Sequence, residues 1–468
     1  MLTYNFEHMD GPIYEHIYKC IKDDILSGKL KPGEKLPSKR TLARNNSVST
    51  ITIQNAYDQL ISEGYVYTEP KKGYYVAQIH EMTILNPVSG KVSYDIDLPQ
   101  APDFEIDFSR NDYSPDNFPF SVWTRLSREI MASKKSELMR VSPISGVIDL
   151  REAIAEHLHS FRGMMIDPNQ IIVGAGTEYL YSLLTDLLGN DKRYVIESPG
   201  YKRLAKIYGQ RGIHCHYAGM DSLGIKVEEL LRNEADIAHI CPNHHFPTGI
   251  TMPASRRYEI LAWANEKPGR YIIEDDYDSE FRTEGKPIPT LFSIDACEKV
   301  IYVNTFSKSI APTIRISYMV LPVHLVKLFY DKLSFYSCTV SNFEQYTLAA
   351  FIKKGYFEKH INRMRLYYMR KRKQVIETIK SSALYQYCDI IENDSGLHFL
   401  LYLHTDYSDY EIEKRLAKKK IRIKNVSNYD LIGGDAKEHY FILNYSNIEM
   451  EDIEKALAIL VDILTEHH

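Results

Sequence analysis

The sequence has few cysteines, few tryptophans and no long apolar run. Its six cysteines, among 468 residues, include no Cys-x-x-Cys pair, so we predict reduced core thiols rather than disulfides or a metal site. No apolar stretch reaches membrane length, which argues against a membrane-spanning class. The first ten residues are polar and acidic, unlike a signal peptide. The sequence therefore predicts a cytoplasmic protein without membrane contact.

The chain also has no excess of positive charge, since 57 Lys and Arg stand against 62 Asp and Glu. Overall charge alone therefore does not indicate a nucleic-acid partner. The length exceeds that of a single core, and 44% hydrophobic residues are enough for a globular interior. Residues 79–103 are irregular, with Asn-Pro, Ser-Gly and two further prolines. We predict that they link two domains.

Residues 10–78 have the pattern of a small helical domain with a β-hairpin. Isoleucines recur every fourth residue over 13–25, which predicts a helix. Ser38 and Ser49 are predicted N-caps of two short helices that a tight turn joins. Alternating residues on either side of the turn at 69–73 predict a hairpin. Together these elements outline a winged helix-turn-helix.

Positive charge gathers at two places in this first domain. Lysines and arginines surround the first helix of the motif, and lysines mark the hairpin tip, where DNA phosphates would lie. The second helix carries short and amide side chains suited to base edges. The candidate DNA-binding residues are Lys35, Ser38, Lys39, Arg40, Arg44, Ser49, Thr50, Thr52, Lys71, Lys72 and Gly73. The alternative is a solvated helical hairpin without DNA contacts.

A candidate Schiff-base lysine, Lys308, lies in the second half of the chain. Its amine could condense with an aldehyde, while Thr305 and Ser307 offer hydroxyl groups nearby. Arg315, seven residues on, offers a planar fork that matches phosphate oxygens. Without further support, this segment would also fit an ordinary exposed loop.

Predicted strand ends upstream of the lysine supply that support. An apolar run that ends in Asp275 and Tyr277 is typical of a buried parallel strand that ends at a ligand site. An acid there can pair with a protonated pyridine nitrogen, and a tyrosine can donate to a phenolic oxygen. Gly176 and Thr177 follow another predicted strand and begin a helix, where backbone amides can bind phosphate.

These segments, in this order, resemble the fold-type I aminotransferases that use pyridoxal 5'-phosphate, over residues 104–468. The resemblance implies an α/β domain with a mixed, mainly parallel sheet and a small C-terminal α+β part. It also implies that Lys308 carries the cofactor as an internal aldimine, that Asp275 faces the pyridine nitrogen and that Tyr277 contacts the phenolic oxygen. The remaining implied contacts are Tyr201 stacked on the ring and Gly176, Thr177, Ser307 and Arg315 on the phosphate.

Two departures from this family bear on catalysis. Phe246 stands where aminotransferases place an asparagine before Pro-Thr-Gly, and the late strand at 440–445 lacks their carboxylate-binding arginine. The adjacent His244 and His245 have no further metal ligands nearby, so we assign them to the cofactor loop rather than to a metal.

The first domain resembles the GntR class of bacterial repressors, and the two halves together resemble its MocR subfamily. In that subfamily a winged helix is fused to an aminotransferase-like domain, and the protein is a homodimer that binds double-stranded operator DNA. Arg203 lies where relatives that sense amino acids use an arginine for the ligand carboxylate. Arg422 is a second candidate clamp for such an effector.

Three functional interpretations follow. The first is a transcription factor whose DNA affinity changes when pyridoxal phosphate, or an amine or amino-acid effector, is bound at Lys308. The second is a working aminotransferase with an appended DNA-binding domain, which Phe246 and the missing late arginine oppose. The third is a module that no longer takes cofactor, which the intact Lys308, Asp275 and Arg315 oppose. We favour the first, with residual transamination left open.

Overall fold

The computed structural model describes residues 2–6, 11–79, 102–110, 114–282, 288–392, 396–433, 438–446 and 448–466. The chain divides into two compact units, Met1–Gln100 and Ala101–His468. The predicted linker at 79–103 lies almost entirely outside the described residues.

Three helices and a hairpin form the described part of the N-terminal unit. They are α1 (Ile13–Leu26), α2 (Lys39–Asn45), α3 (Thr50–Ser62), β1 (Val66–Glu69) and β2 (Gly73–Val76). Both predicted N-caps are confirmed, because the hydroxyl of Ser38 accepts the backbone N–H of Thr41 and that of Ser49 accepts the N–H of Thr52. The strands of the hairpin pair antiparallel, as predicted.

The isoleucine repeat forms a helix because it gives α1 one apolar face. Ile17 and Ile21 are fully buried and pack in one cluster with Tyr57 and Leu60 of α3. Each such side chain contributes about 1.5–3 kcal/mol when it leaves water. The Tyr57 hydroxyl also donates to the carbonyl of Pro37 at 2.9 Å, which holds the loop before α2 against this core.

The described part of the C-terminal unit contains three sheets. Its strands are β3 (Ile106–Asp107), β4 (Ile171–Gly174), β5 (Tyr194–Ser198), β6 (His216–Asp221), β7 (Gly224–Ile225), β8 (Ile237–Ile240), β9 (Tyr271–Asp276), β10 (Val300–Thr305), β11 (Ser317–Val320), β12 (Cys388–Ile391), β13 (His398–Leu403), β14 (Ile421–Arg422), β15 (Lys424–Asn425) and β16 (Tyr440–Asn444). The large sheet has the order β4-β11-β10-β9-β8-β5-β6-β7. Strands β10, β9, β8, β5 and β6 run parallel, while β11, β4 and β7 pair antiparallel. The sheet is thus mixed and mainly parallel, as expected.

Helices pack on both faces of the large sheet. The helices of this unit are α4 (Phe120–Ser133), α5 (Lys135–Leu138), α6 (Ile148–Arg162), α7 (Thr177–Leu188), α8 (Lys202–Gln210), α9 (Val227–Arg232), α10 (Ala254–Asn265), α11 (Leu291–Ile294), α12 (Phe306–Ser309), α13 (Val323–Leu333), α14 (Asn342–Lys353), α15 (Tyr356–Ser381), α16 (Asp409–Lys418) and α17 (Met450–Thr465). The neighbouring residues Ile272 and Ile273 of β9 pack in different core clusters, because successive side chains of a strand point to opposite faces. This two-sided burial explains why β9 is a continuous apolar run.

The small C-terminal part is α+β. Strands β12, β13, β16 and β15 form its antiparallel sheet, and α16 and α17 belong to the same part of the chain. The long helix α15 precedes it. Within the described residues, no helix is both long and apolar enough to cross a membrane.

Candidate functional site

A cavity of about 270 Å³ lies where strands of the large sheet end. Asp275 lies at the end of β9, Thr305 at the end of β10, and the turn after β4 begins α7. In an α/β sheet, ligands bind beyond these carboxyl ends. All the predicted cofactor residues except Gly176 line the cavity, and Gly176 directly precedes one of them, Thr177. The fold thus brings together residues that are up to 138 positions apart in the sequence, as Thr177 and Arg315 are.

A hydrogen bond from a tyrosine fixes the carboxyl group of Asp275. The hydroxyl of Tyr181, on α7, donates to Oδ2 of Asp275 at 2.5 Å. The ring nitrogen Nε2 of His239 lies 3.7 Å from the same oxygen. The other oxygen, Oδ1, is buried and has no hydrogen-bond partner within the described structure. An unpaired buried acceptor costs about 1–3 kcal/mol, so Oδ1 is suited to receive a donor from a ligand.

Lys308 lies on the short helix α12, and burial favours the neutral form of its amine. Burial lowers the pKa of Lys308 to about 8, although the charge of Asp278 opposes this shift. Asp278 is itself paired with His244, whose Nδ1 lies 2.8 Å from Oδ2 of the carboxylate. The hydroxyl of Tyr277 lies 3.2 Å from the same nitrogen. A neutral amine is the form that can attack a carbonyl carbon.

The glycine turn packs tightly against the predicted phosphate anchor. Gly176 has φ +92°, and a Cβ at this position would collide with the guanidinium of Arg315. Only glycine both adopts this backbone angle readily and leaves room for the arginine. Ser307 has a buried hydroxyl oxygen without a hydrogen-bond partner in the described part of the chain. The Thr305 hydroxyl, in contrast, is already used, because it accepts the backbone N–H of Ser307 and caps α12.

An ion-pair cluster that the sequence did not reveal lies at this end of the cavity. Glu178, in the first turn of α7, accepts a hydrogen bond from Nη2 of Arg315 at 2.7 Å. Its other oxygen lies 3.6 Å from Nη1 of Arg203. Burial alone raises the pKa of Glu178, but the hydrogen bond from Arg315 and other local interactions leave it below its usual range. The available signal was an acid beside the glycine turn, at a helix start that favours negative charge.

The two predicted effector arginines lie in different surroundings. Arg203 lines the cavity and lies 5.7 Å from the ring centre of Tyr201, which lines it too. Arg422 does not line it. Its guanidinium lies 3.5 Å from Asp107 and over the ring of Phe104. The structure therefore groups Arg203, but not Arg422, with the cofactor residues.

Phe246 and the adjacent His245 form one wall of the cavity. The ring of Phe246 packs edge-on against Tyr429, with 5.0 Å between ring centres. Behind it, Nε2 of His245 lies 3.5 Å from Glu197. Burial raises the pKa of Glu197 to about 8 and lowers that of His245 to about 3. Burial therefore opposes the charge on both partners of this contact. No group of three potential metal ligands occurs among the described residues.

The N-terminal unit exposes most of the predicted DNA-binding side chains. Arg40 is exposed on α2, Thr50 is exposed on α3, and Lys72 lies exposed at the hairpin turn, paired with Glu69 at 2.9 Å. Lys35 is bridged to the hairpin and its amine lies over the ring of Tyr75. Charges from the loop before α2 and from the hairpin are thus brought together.

Two families match separate parts of the chain. Residues 13–76 match the gntR family of bacterial regulatory proteins, and residues 105–460 match aminotransferase class I and II. The uncharacterized HTH-type transcriptional regulator YdeL of Bacillus subtilis is 35% identical, over 90% of each chain. The probable rhizopine catabolism regulatory protein MocR of Rhizobium meliloti is 30% identical, over 84% of this chain and 82% of its own. The HTH-type pyridoxine biosynthesis transcriptional regulator PdxR of Corynebacterium glutamicum is 29% identical, over 98% and 97%.

Solved structures support the fold of the large unit. An archaeal alanine:glyoxylate aminotransferase has a TM-score of 0.69 and 21% identity, over 78% of this chain and 91% of its own. Fold and relatives together define a transcriptional regulator with a DNA-binding winged helix and an aminotransferase-type domain. The chain belongs to the MocR subfamily of the GntR family, whose aminotransferase-like domain uses pyridoxal phosphate.

Proposed function

We propose that the aminotransferase-like unit senses pyridoxal phosphate, or an amine or amino-acid effector, and thereby changes the DNA affinity of the regulator. This proposal rests on the groups that line the cavity together. They are the amine of Lys308, whose pKa is lowered, and two oxygens without a hydrogen-bond partner in the described structure, on Asp275 and Ser307. Pyridoxal phosphate supplies an aldehyde that reacts with amines and a pyridine ring that withdraws electrons. The residues of the cavity fit the three parts of this molecule.

Lys308 and Asp275 would hold the reactive end and the ring. The Lys308 amine, with a pKa of about 8, is neutral in a useful fraction of molecules and can bond to the aldehyde carbon. Oδ1 of Asp275 would accept the proton of the pyridine nitrogen, while Tyr181 keeps the carboxylate in place. Tyr277 would donate to the phenolic oxygen, and Tyr201 would stack on the ring.

The phosphate would lie at the start of α7. Thr177 presents its backbone amide there, and the helix start favours an anion. The backbone N–H of Gly176 already donates to the carbonyl of Gly174 at 2.9 Å, so Gly176 would serve by leaving room for Arg315. Ser307 would donate its unpartnered hydroxyl, and Arg315 would supply its planar guanidinium. Thr305 would contribute indirectly, because its hydroxyl fixes the backbone of Ser307.

An effector carboxylate would bind Arg203. This arginine lies at the cavity and its side chain is 64% exposed, so an incoming ligand can reach it. An amine that competes with Lys308 for the aldehyde would bring its own carboxylate to this arginine. Such a contact exists only in the effector-bound state, and a ligand can shift a conformational equilibrium only through such a difference. For Arg422, contact with an effector stays a prediction.

We further propose that the protein is a cytoplasmic homodimer that binds operator DNA through α2, α3 and the hairpin turn. Three large apolar side chains, Met139, Val141 and Phe335, are at least 73% exposed. The β-bridge between Pro143 and Ser337 brings the two segments that carry these side chains together. An exposed apolar patch larger than isolated side chains marks an association surface. Phe335 lies close in sequence to Thr339, whose hydroxyl accepts the backbone N–H of Ala175 beside the glycine turn. Sedimentation velocity on the purified protein tests the dimer.

The experiment that tests the sensor is a spectral titration. The purified protein, with pyridoxal phosphate, is titrated with a panel of amines and amino acids, and operator affinity is measured in parallel. A sensor changes both the cofactor absorbance and the DNA affinity with the same ligand, without steady product formation. Steady conversion of an amino acid to a 2-oxo acid at about 1 per second or faster would establish catalysis instead.

A further inference from the structure

Three charged groups meet at the phosphate end of the cavity, and the acid stands between the two bases. One carboxylate oxygen of Glu178 accepts a hydrogen bond from Arg315 at 2.7 Å, and the other lies 3.6 Å from a guanidinium nitrogen of Arg203. Arg315 is the proposed phosphate anchor and Arg203 the proposed effector contact. One residue thus bridges the two ligand-binding functions of the site.

The position of Glu178 makes it a competitor for anions. A carboxylate and a phosphate accept hydrogen bonds from the same N–H groups at the edge of a guanidinium. Glu178 follows Thr177 directly, so its charge lies beside the backbone amides that would bind phosphate. Because it is only 32% exposed, solvent screens this charge incompletely. The negative charges of Glu178 and of a bound phosphate would repel each other at this distance, so the two anions disfavour each other's contact with Arg315.

We propose that Glu178 acts as an anion gate, which holds Arg315 and Arg203 while the cofactor site is free and is displaced by the cofactor phosphate. The proposal rests on the function given above. Two consequences follow. The competing charge weakens cofactor binding, which suits a sensor that must release its ligand when the concentration falls. Displacement of the carboxylate also loosens its contact with Arg203, so that cofactor binding prepares that arginine for an effector carboxylate.

The test compares the wild-type protein, freed of cofactor, with Glu178→Gln and Glu178→Ala. The glutamine keeps the shape of the side chain without its charge, and the alanine removes the side chain altogether. Glu229→Gln is the matched control, because Glu229 pairs with Arg232 on α9 and does not line the cavity. Each protein is titrated with pyridoxal phosphate and with pyridoxal, which lacks the phosphate, and binding is followed by absorbance. Thermal melting of each variant verifies folding.

We expect both Glu178 variants to bind pyridoxal phosphate about tenfold more tightly than wild type, as removal of one nearby like charge predicts. Affinity for pyridoxal should change little, and Glu229→Gln should match wild type. Raised salt should narrow the difference between the variants and wild type, because it screens the repulsion.

Unchanged or weaker affinity for pyridoxal phosphate in both variants overturns the gate and shows that Glu178 serves only to position the arginines or to stabilise α7. Equal tightening for pyridoxal also overturns it, since the effect would then not depend on the phosphate. Failure of the wild-type protein to bind pyridoxal phosphate at all refutes the proposed function itself, which keeps the two failures distinct.

Discussion

The hydroxyl of Tyr181 donates to Oδ2 of Asp275 at 2.5 Å and leaves Oδ1 as the only oxygen of that carboxylate without a partner in the described structure. The tyrosine is fully buried, and burial raises its pKa well above the ordinary value, so it stays a donor at any physiological pH. A donor that cannot ionise keeps the carboxyl group of Asp275 fixed in orientation. The acid at the end of β9 is therefore prepared for one further hydrogen bond, from a ligand.

Replacement of Lys308 by alanine should abolish the visible absorbance of lysine-bound cofactor. The amine is the only group at this position that can bond to the aldehyde, and Lys308 lies in the cavity wall rather than in the apolar core. Lys327→Ala, an exposed lysine on α13, is the control and should keep the absorbance. A normal spectrum in Lys308→Ala would show that another lysine carries the cofactor. Absorbance spectra of both variants after addition of pyridoxal phosphate check this prediction.

Attachment of the cofactor should depend on pH through Lys308. The folded-state pKa is lowered from 10.5 to about 8. The fraction of Lys308 in the reactive neutral form therefore rises as the pH approaches 8 and is nearly complete above about 9. The rate of attachment should therefore rise about tenfold per pH unit below this pKa and level off above it. Stopped-flow absorbance from pH 6 to pH 10 measures the profile. A rate that keeps rising to pH 10 would indicate an ordinary lysine.

Asp275→Asn should weaken pyridoxal phosphate binding about ten- to a hundredfold. The substitution removes the charge that would hold the proton on the pyridine nitrogen, and a hydrogen bond to a charged group contributes about 1.5–3 kcal/mol. Tyr181→Phe should have a smaller effect, about tenfold or less, because the carboxylate remains and loses one fixed donor. Fluorescence titration gives both affinities. A larger loss in Tyr181→Phe than in Asp275→Asn would contradict the assigned roles.

Arg203→Ala should weaken an amino-acid effector about ten- to a hundredfold, the range expected for a carboxylate held by an arginine fork. Binding of pyridoxal phosphate should persist, since Arg315 remains. Arg422→Ala makes a useful comparison, because Arg422 contacts Asp107 and Phe104 outside the cavity lining. Competition titrations with the effector found in the amine panel measure both variants. Loss of effector affinity in Arg422→Ala alone would transfer the carboxylate contact to that residue.

Arg40→Ala and Lys72→Ala should weaken operator binding and leave the cofactor absorbance unchanged. Both side chains are exposed in the N-terminal unit, where they would meet phosphates or base edges. For each DNA phosphate that is no longer bound, the slope of log affinity against log salt should fall by about 0.9. Lys29→Ala is the control, because Lys29 pairs with Asp24 in the segment after α1. Fluorescence anisotropy at several salt concentrations measures the effect, and wild-type affinity in both test variants would refute the docking surface.

Local sequence signals were sufficient for the elements of the N-terminal unit and for the strand that ends at Asp275. The repeat that buries Ile17 and Ile21, and the caps at Ser38 and Ser49, depend on neighbours a few residues away. The same holds for the buried strand that ends at Asp275. Helical and strand periodicities report burial directly, so these elements could be predicted. The order of the motifs along the chain then sufficed for the family, the fold class and the cofactor.

The sequence by itself thus determined the family and the candidate cofactor residues. The tertiary structure decided that Glu178 and Tyr181 join them at the cavity, and which groups remain available to a ligand. Glu178 and Arg315 are 137 residues apart and Tyr181 and Asp275 are 94 apart, yet each pair forms a hydrogen bond. Likewise, only the fold separated Arg422 from the cavity lining. No periodic pattern encodes such pairings, because they depend on how strand ends and helix starts converge once the sheet has formed.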